Sequence, residues 1–99
     1  MDFKIIYSDE ALADLEQITA WSWDHHPETT ERFITALLNH IDLLPQFPSI
    51  GSPVKGKSGV RQLLHSPFRV YYRVNQQRGR IDILHIWHQS RRPPLYGRG

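Results

Sequence analysis

The 99-residue sequence predicts an α+β fold in one domain: a short strand, an antiparallel pair of helices and then a three-stranded antiparallel β-meander. Three observations lead to this prediction. Apolar residues recur at helical spacing in the first half, they alternate with polar residues in the second half, and a segment rich in proline and glycine separates the halves. We expect the strands to form one sheet with both helices on one face.

The first strand is predicted at residues 3–7 and ends at Ser8, whose hydroxyl suits it to cap a helix. The helix that follows has an apolar stripe with spacings of three and four residues. Its members are Ala11, Leu15, Ile18 and Ser22, widened by Leu12 and Trp23. Pro27 either ends this helix or begins the next one, because proline is tolerated in a first helical turn.

The second helix is predicted from residues that share one arc of the helical wheel, namely Phe33, Ile34, Leu37, Leu38, Ile41 and Leu44. Pro45 and Pro48 end it. Residues 45–59 include three prolines and three glycines and are expected to form a loop with little regular structure. Lys55 and Lys57, near its end, are candidate phosphate contacts.

The meander strands are predicted at residues 60–65, 68–74 and 80–88. Strict alternation divides the second strand into a core face, with Phe68, Val70, Tyr72 and Val74, and an opposite face, with Arg69, Tyr71 and Arg73. In the last strand, alternation assigns Ile81, Ile83, His85 and Trp87 to the more apolar face. Both faces of that strand are fairly apolar, which predicts a central position in the sheet.

Charge is divided between the two halves of the chain. Residues 1–43 contain nine acids and two bases, a balance of −7, whereas residues 44–99 contain ten bases and one acid, a balance of +9. The total of +2 therefore conceals a strongly polar molecule. Concentrated positive charge attracts either phosphate backbones or an acidic protein partner, and the sequence does not choose between them.

Several classes of protein are excluded or disfavoured by composition. The absence of cysteine excludes disulfides and thiolate chemistry. No apolar run approaches the roughly 18 residues that suggest a membrane span, and the N-terminus lacks a signal-peptide pattern, so a cytoplasmic location without membrane contact is expected. No nucleotide, cofactor or serine-hydrolase motif is present, and no cofactor is predicted.

The candidate chemistry is cleavage of RNA, which needs phosphate-binding donors and groups that move protons. We assign the catalytic roles to Arg61, Arg69, Arg73 and His88, and substrate binding to Lys55, Lys57, Tyr71, Arg91 and Arg92. Such cleavage needs no metal. The alternative is that the arginines are a solvated sheet surface and His88 a strand-end residue.

Among the other histidines, His85 is interpreted as a core residue because it alternates with Ile81 and Ile83. No metal site is predicted. His85 and His88 point to opposite faces of a strand, and the adjacent His25 and His26 lack an obvious third ligand. The three tryptophans, Trp21, Trp23 and Trp87, are expected to pack in the core or at its rim, with stacking on bases as the alternative.

The sequence resembles the RelE/ParE superfamily of toxins from type II toxin–antitoxin modules. The matching segments are Ile6-Tyr7-Ser8, Arg32-Phe33, Phe47-Pro48-Ser49-Ile50-Gly51, Gly59-Val60-Arg61, Pro67-Phe68-Arg69-Val70-Tyr71-Tyr72-Arg73-Val74 and Ile83-Leu84-His85-Ile86-Trp87-His88-Gln89-Ser90-Arg91-Arg92. The resemblance spans nearly the whole chain, and it implies the same order of strand, helical hairpin and meander.

The resemblance implies a growth-inhibiting toxin that a cognate antitoxin neutralises. RelE-like members cleave mRNA on the ribosome, and the first expectation here is such a ribosome-dependent endonuclease. ParE-like members instead inhibit DNA gyrase without nuclease activity, which is the alternative. A nontoxic binding module with the same fold is a third possibility.

Overall fold

The computed structural model describes residues 3–89, which form two helices and a five-stranded sheet. The elements are β1 (Lys4–Tyr7), α1 (Asp9–His25), α2 (Pro27–Ile41), β2 (Ser52–Pro53), β3 (Val60–His65), β4 (Phe68–Asn75) and β5 (Arg80–His88). The strand order is β1-β5-β4-β3-β2; β1 runs parallel to β5 and every other neighbouring pair is antiparallel. The predicted α+β class is confirmed, and β5 is a central strand as expected.

The start of α1 is fixed by Ser8, as the sequence predicts. The Ala11 amide donates to Ser8 Oγ at 3.0 Å, which satisfies one of the free amides at the helix N-terminus. The same hydroxyl donates to the carbonyl of Leu84 on β5 at 2.9 Å. One side chain therefore caps the helix and attaches it to the sheet.

The two helices form an antiparallel hairpin with His26 as the link. Pro27 lies in the first turn of α2, which decides between the two roles that the sequence left open. A buried hydrogen bond of 2.9 Å joins Ser22 Oγ of α1 to Thr30 Oγ1 of α2. The hairpin is thus closed by polar groups near its tip and by apolar packing further along.

The core lies between the hairpin and one face of the sheet. Its buried members are Ala11, Ile18, Leu37, Ile41, Leu44, Leu63, Phe68, Val70, Tyr72, Ile81, Ile83 and Ile86. The predicted stripe on α1 is too wide, because Leu12 and Trp23 are 50% and 60% exposed. Trp21 is also exposed, so neither Trp21 nor Trp23 packs in the core; Trp21 lies at its rim, where it lines a cavity together with Ile18. A domain of this size covers only a narrow strip of each helix.

An extra residue in β5 changes the direction of every side chain after it. Tyr71 of β4 pairs with His85, whereas Tyr72 pairs with Ile83, so Leu84 has no partner of its own and forms a bulge. Strict alternation therefore fails after Ile83. Ile86 is buried in the core, although the sequence reasoning assigned it to the opposite face.

The segment between α2 and β3 is more ordered than predicted. Two of its residues form β2, which pairs with β3, and a hydrogen bond from the Val54 amide to the Val60 carbonyl closes the turn that connects the two strands. The expectation of little regular structure over residues 45–59 is therefore only partly correct. Within residues 3–89, neither helix has the length and apolar character needed to cross a membrane.

Candidate functional site

Positively charged side chains lie on the face of the sheet turned away from the helices, which we call the far face. Arg69, Tyr71 and Arg73 of β4 share it, because the side chains that alternate with them belong to the core on the other side. Cross-strand pairing adds Trp87, His85 and the acidic Asp82 of β5, since directly paired residues share a face. The far face is therefore basic and partly aromatic.

The two arginines of the far face differ in solvent exposure and in hydrogen bonding. Arg73 is exposed, whereas Arg69 is half-buried and its Nη1 donates to Gln62 Oε1 at 2.8 Å. The Arg69 Nε atom is buried with no hydrogen-bond partner. Within residues 3–89, neither guanidinium forms an ion pair with a carboxylate. Both groups thus keep hydrogen-bonding capacity for an external anion or acidic surface.

Tyr71 does not point into solvent as the sequence suggested. Only 3% of the residue is exposed, and it does not belong to the main core cluster. Gln62 and His85 are its cross-strand neighbours on the far face. The large side chains on both neighbouring strands explain the burial, which alternation along one strand does not reveal.

Arg61 lies on the helix-covered face, since it pairs with the buried Tyr72. Its Nη1 donates to the Gly51 carbonyl at 2.7 Å. The prediction that Arg61 joins Arg69 and Arg73 at one phosphate is therefore wrong in its geometry. Register between β3 and β4 decides the face, and register is not visible in either strand alone.

The Tyr72 hydroxyl binds the same loop as Arg61 does. It donates to the Pro48 carbonyl at 2.7 Å and accepts from the Gly51 amide at 3.0 Å. Burial raises the pKa of Tyr72, while the Gly51 amide and the Arg61 charge oppose that rise. Tyr72 and Arg61 together fix the loop on which Phe47 and Ile50 are exposed.

His88 is also on the helix-covered face, because the Leu84 bulge reverses its direction. Its ring packs edge-on against Phe68 with centroids 5.4 Å apart. It lines a cavity of about 630 Å³ between α1, the start of α2 and the end of the sheet, whose walls include Asp14, Trp21 and Phe33. The predicted union of His88 with Arg69 and Arg73 is therefore wrong as well.

His85 takes the place on the far face that the sequence reasoning gave to His88. Its Nδ1 lies 3.4 Å from Asp14 Oδ2, and the same carboxylate oxygen accepts from the Ile86 amide at 3.0 Å. Asp14 thus satisfies the edge of β5 beyond the end of β1. The interpretation of His85 as a residue of the main core is wrong, and no signal in the sequence marks the bulge that moves it.

Of the predicted substrate-binding lysines, Lys55 is exposed and Lys57 half-buried, both in the turn that precedes β3. Because that turn leads into Val60, which pairs with Arg73, the lysines lie near the Arg73 end of the sheet. Arg91 and Arg92 lie outside the described residues. Within residues 3–89, no group of three or more metal-ligand side chains is found.

Solved structures with the same fold are toxins of toxin–antitoxin systems. A chain of the chromosomal ParDE system of P. aeruginosa superposes with a TM-score of 0.74 at 24% identity, over 87% of this chain and 95% of that one. A chain of the RelBE2 complex from Mycobacterium tuberculosis gives 0.68 at 19% identity, over 89% and 99%. A chain of the archaeal RelE–RelB complex from Pyrococcus horikoshii OT3 gives 0.65 at 17% identity, over 93% and 100%.

Sequence comparison identifies the family more specifically than the comparison of folds does. No curated protein matches the chain significantly. A family model described as the ParE toxin of type II toxin–antitoxin systems, parDE, matches residues 5–93. This match includes both helices and all five strands except Lys4, the first residue of β1. The chain therefore belongs to the ParE toxin family of type II toxin–antitoxin systems.

Proposed function

We propose that this chain is a growth-inhibiting toxin that acts by binding DNA gyrase and not by cutting RNA. Membership of the ParE family supports this choice over the endonuclease, which was the first expectation from sequence. The observation that carries the proposal is the separation of the four predicted catalytic residues. Arg69 and Arg73 lie on the far face, whereas Arg61 and His88 lie on the helix-covered face.

Phosphodiester cleavage needs phosphate donors and a proton-transferring group at the same few atoms. His88 faces the opposite side of the sheet from Arg69 and Arg73, which argues against their acting on one phosphate. Arg61 is already engaged with the Gly51 carbonyl. This separation supports a binding role for the far-face arginines over one catalytic centre formed by the four residues.

In this function the far face is the target-binding surface. Arg69 and Arg73 provide planar donors that suit carboxylates or DNA phosphates, and Lys55 adds charge at the same end of the sheet. The helices, which carry most of the acidic residues, pack on the other side of the sheet, although Asp14 contacts His85 at the edge of β5. This polarity directs an anionic target toward the far face and away from the hairpin.

One observation favours RNA cleavage as a second candidate. His85 is on the far face, where Tyr71 is its cross-strand partner and Trp87 pairs with Arg69. A histidine near two arginines is the combination that general acid–base cleavage uses. In this second function His85, and not His88, would transfer the proton.

We also propose a cognate antitoxin as the protein partner. The solved relatives include toxin–antitoxin complexes, and the polar distribution of charge offers surfaces of both signs to a partner. Co-expression with the neighbouring reading frame should restore growth and yield a co-purifying complex. Unchanged toxicity without co-purification would contradict this partner.

The deciding experiment compares two activities of the purified toxin. We expect inhibition of gyrase supercoiling together with intact transcripts in a translating extract. The double variant Arg69→Gln/Arg73→Gln should lose the inhibition, whereas Arg78→Gln, in the exposed turn after β4, should retain it. Transcript cleavage that needs His85 would replace the proposal by the second candidate, and harmless overexpression would indicate a nontoxic binding module.

A further inference from the structure

Two histidines meet where the hairpin joins the edge of the sheet. His40 lies in the last turn of α2 and His65 is the last residue of β3. Their Nδ1 atoms are 2.9 Å apart, and their ring centroids are 5.1 Å apart. The centroid separation is close to the Nδ1–Nδ1 distance plus the two ring radii, so the rings point at each other head-on.

A head-on contact between two imidazole nitrogens holds one proton. One ring donates its N–H and the other accepts with its lone pair, which requires opposite tautomers of the two neutral rings. A first added proton can occupy a nitrogen outside the contact. A second added proton places one N–H group against another and two positive charges side by side, so the hydrogen bond is replaced by repulsion.

The surroundings of the pair do not compensate for a second charge. Phe33 packs against His65 with centroids 5.9 Å apart and against Phe68 at 5.7 Å. Burial lowers the pKa of His65, and the charge of His40 lowers it further. Within the described part of the chain, no carboxylate forms an ion pair with either histidine.

The charged groups nearest in sequence act elsewhere. Asp42, two residues after His40, affects Tyr7 of β1 electrostatically. Arg69 of β4 pairs with Leu64, so it belongs to the far face, and it donates to Gln62. The two imidazoles are therefore the ionisable groups of this junction, with aromatic rings around them.

A chelated metal ion fits this geometry less well than a shared proton. An ion bound to both nitrogens would lie off the line that joins them, with both lone pairs converging on it. Here the rings are opposed instead of convergent. The six histidines of the chain also offer no third ligand to this pair, because no metal-binding group of three is found in residues 3–89.

We propose that His40 and His65 form a proton-sensitive latch that holds the end of α2 against the end of β3 and opens when both rings are protonated. The latch is independent of the target of the toxin. Opening would loosen the hairpin while Leu37 and Ile41 keep it attached through the core. The protein would thus retain its fold in mild acid and expose the junction.

The test combines thermal unfolding with imidazole ¹⁵N NMR as the pH is lowered through the range in which histidine titrates. We expect Tm to fall by roughly 4–8 °C, the change that loss of an ordinary hydrogen bond produces in a domain of this size. His40→Asn and His65→Asn keep a polar group near the Nδ1 position but cannot become charged. The Tm of each variant should therefore fall much less in acid than that of the wild type. His25→Asn is the matched control, because His25 is exposed and stacks on Trp21.

An equal acid-dependent fall of Tm in all four proteins would overturn the proposal. So would ¹⁵N titrations of His40 and His65 that are independent of one another. If both asparagine variants fail to fold, amide hydrogen exchange of the wild-type protein decides. Protection factors, corrected for the intrinsic exchange rate at each pH, that fall in acid only around residues 36–44 and 62–66 support the latch, and a uniform fall contradicts it.

Discussion

On the helix-covered face of the sheet, polar side chains are bound to backbone atoms, whereas on the far face guanidinium groups remain open to a partner. Arg61 and Tyr72 both donate to loop carbonyls from the first face. Arg73, one residue after Tyr72, is exposed on the second. Neighbouring residues of one strand thus have different roles. Because side chains alternate between the faces, Tyr72 contributes to stability and Arg73 is available for recognition.

Gly51→Ala should have the largest effect on the helix-covered face. A Cβ atom at this position would lie 2.5 Å from the Gln62 carbonyl oxygen and 2.8 Å from the Tyr72 ring. We expect a loss of about 3 kcal/mol in the free energy of unfolding, since backbone and a buried ring must both move. Urea unfolding measures it, with Ser52→Ala at the next, exposed position as control. A Gly51→Ala protein as stable as the control would show that the loop is not held closely.

Tyr72→Phe should have the next largest effect on stability. It removes one hydroxyl that serves both Pro48 and Gly51 and leaves the buried Gly51 amide without a partner. The expected loss is about 1–3 kcal/mol, the usual cost of an unsatisfied buried group. A double-mutant cycle with Arg61→Met should show coupling, because both side chains bind the same residue. Strict additivity would mean that the two contacts stabilise the loop independently.

Alkaline pH should weaken the same face through Tyr7. Burial, with a contribution from the negative charge of Asp42, raises the pKa of Tyr7 from 10.0 to about 12. The folded state therefore holds its proton more tightly than the unfolded state. Stability from this group is complete below pH 10 and is lost as the pH rises toward about 12. Unfolding midpoints across this range should fall less in Tyr7→Phe than in the wild type; equal slopes would contradict the assignment.

Arg73→Gln should have the smallest effect on stability and a large effect on toxicity. The side chain is exposed, so the free energy of unfolding should stay within about 0.5 kcal/mol of wild type. Growth inhibition should nevertheless weaken, because a guanidinium is removed from the target-binding surface. Arg61→Met should show the reverse, with reduced stability and toxicity that falls only as the folded fraction falls. Equal toxicity of Arg73→Gln and wild type would remove the functional difference between the faces.

Much of this architecture could be predicted from local patterns. Ser8 has the chemistry of a helix cap, and the strands at 60–65 and 80–88 have the predicted bounds because their alternation and turns are strong signals. The parallel pairing of β1 with β5 and the two-residue β2 could not be found in this way, since both depend on contacts between distant segments.

The candidate site was less predictable than the fold, for the same physical reason. Alternation placed Arg69 and Arg73 correctly on one face, because β4 has no extra residue. It placed His88 wrongly, because the Leu84 bulge lies between the regular part of β5 and the strand end. The contact between His40 and His65 joins residues 25 positions apart and depends on how α2 meets the sheet.

The Leu84 bulge also bears on how relatives of this toxin should be compared. A relative in which Leu84 paired with Tyr71 and formed no bulge would have the rest of the strand turned over, with Trp87 facing inward and Ile86 outward. Two family members could then have identical sequences at the end of this strand and still present different side chains on the far face. Structural superposition, and not sequence alignment alone, should therefore decide which histidine of one relative corresponds to the histidine at the strand end of another.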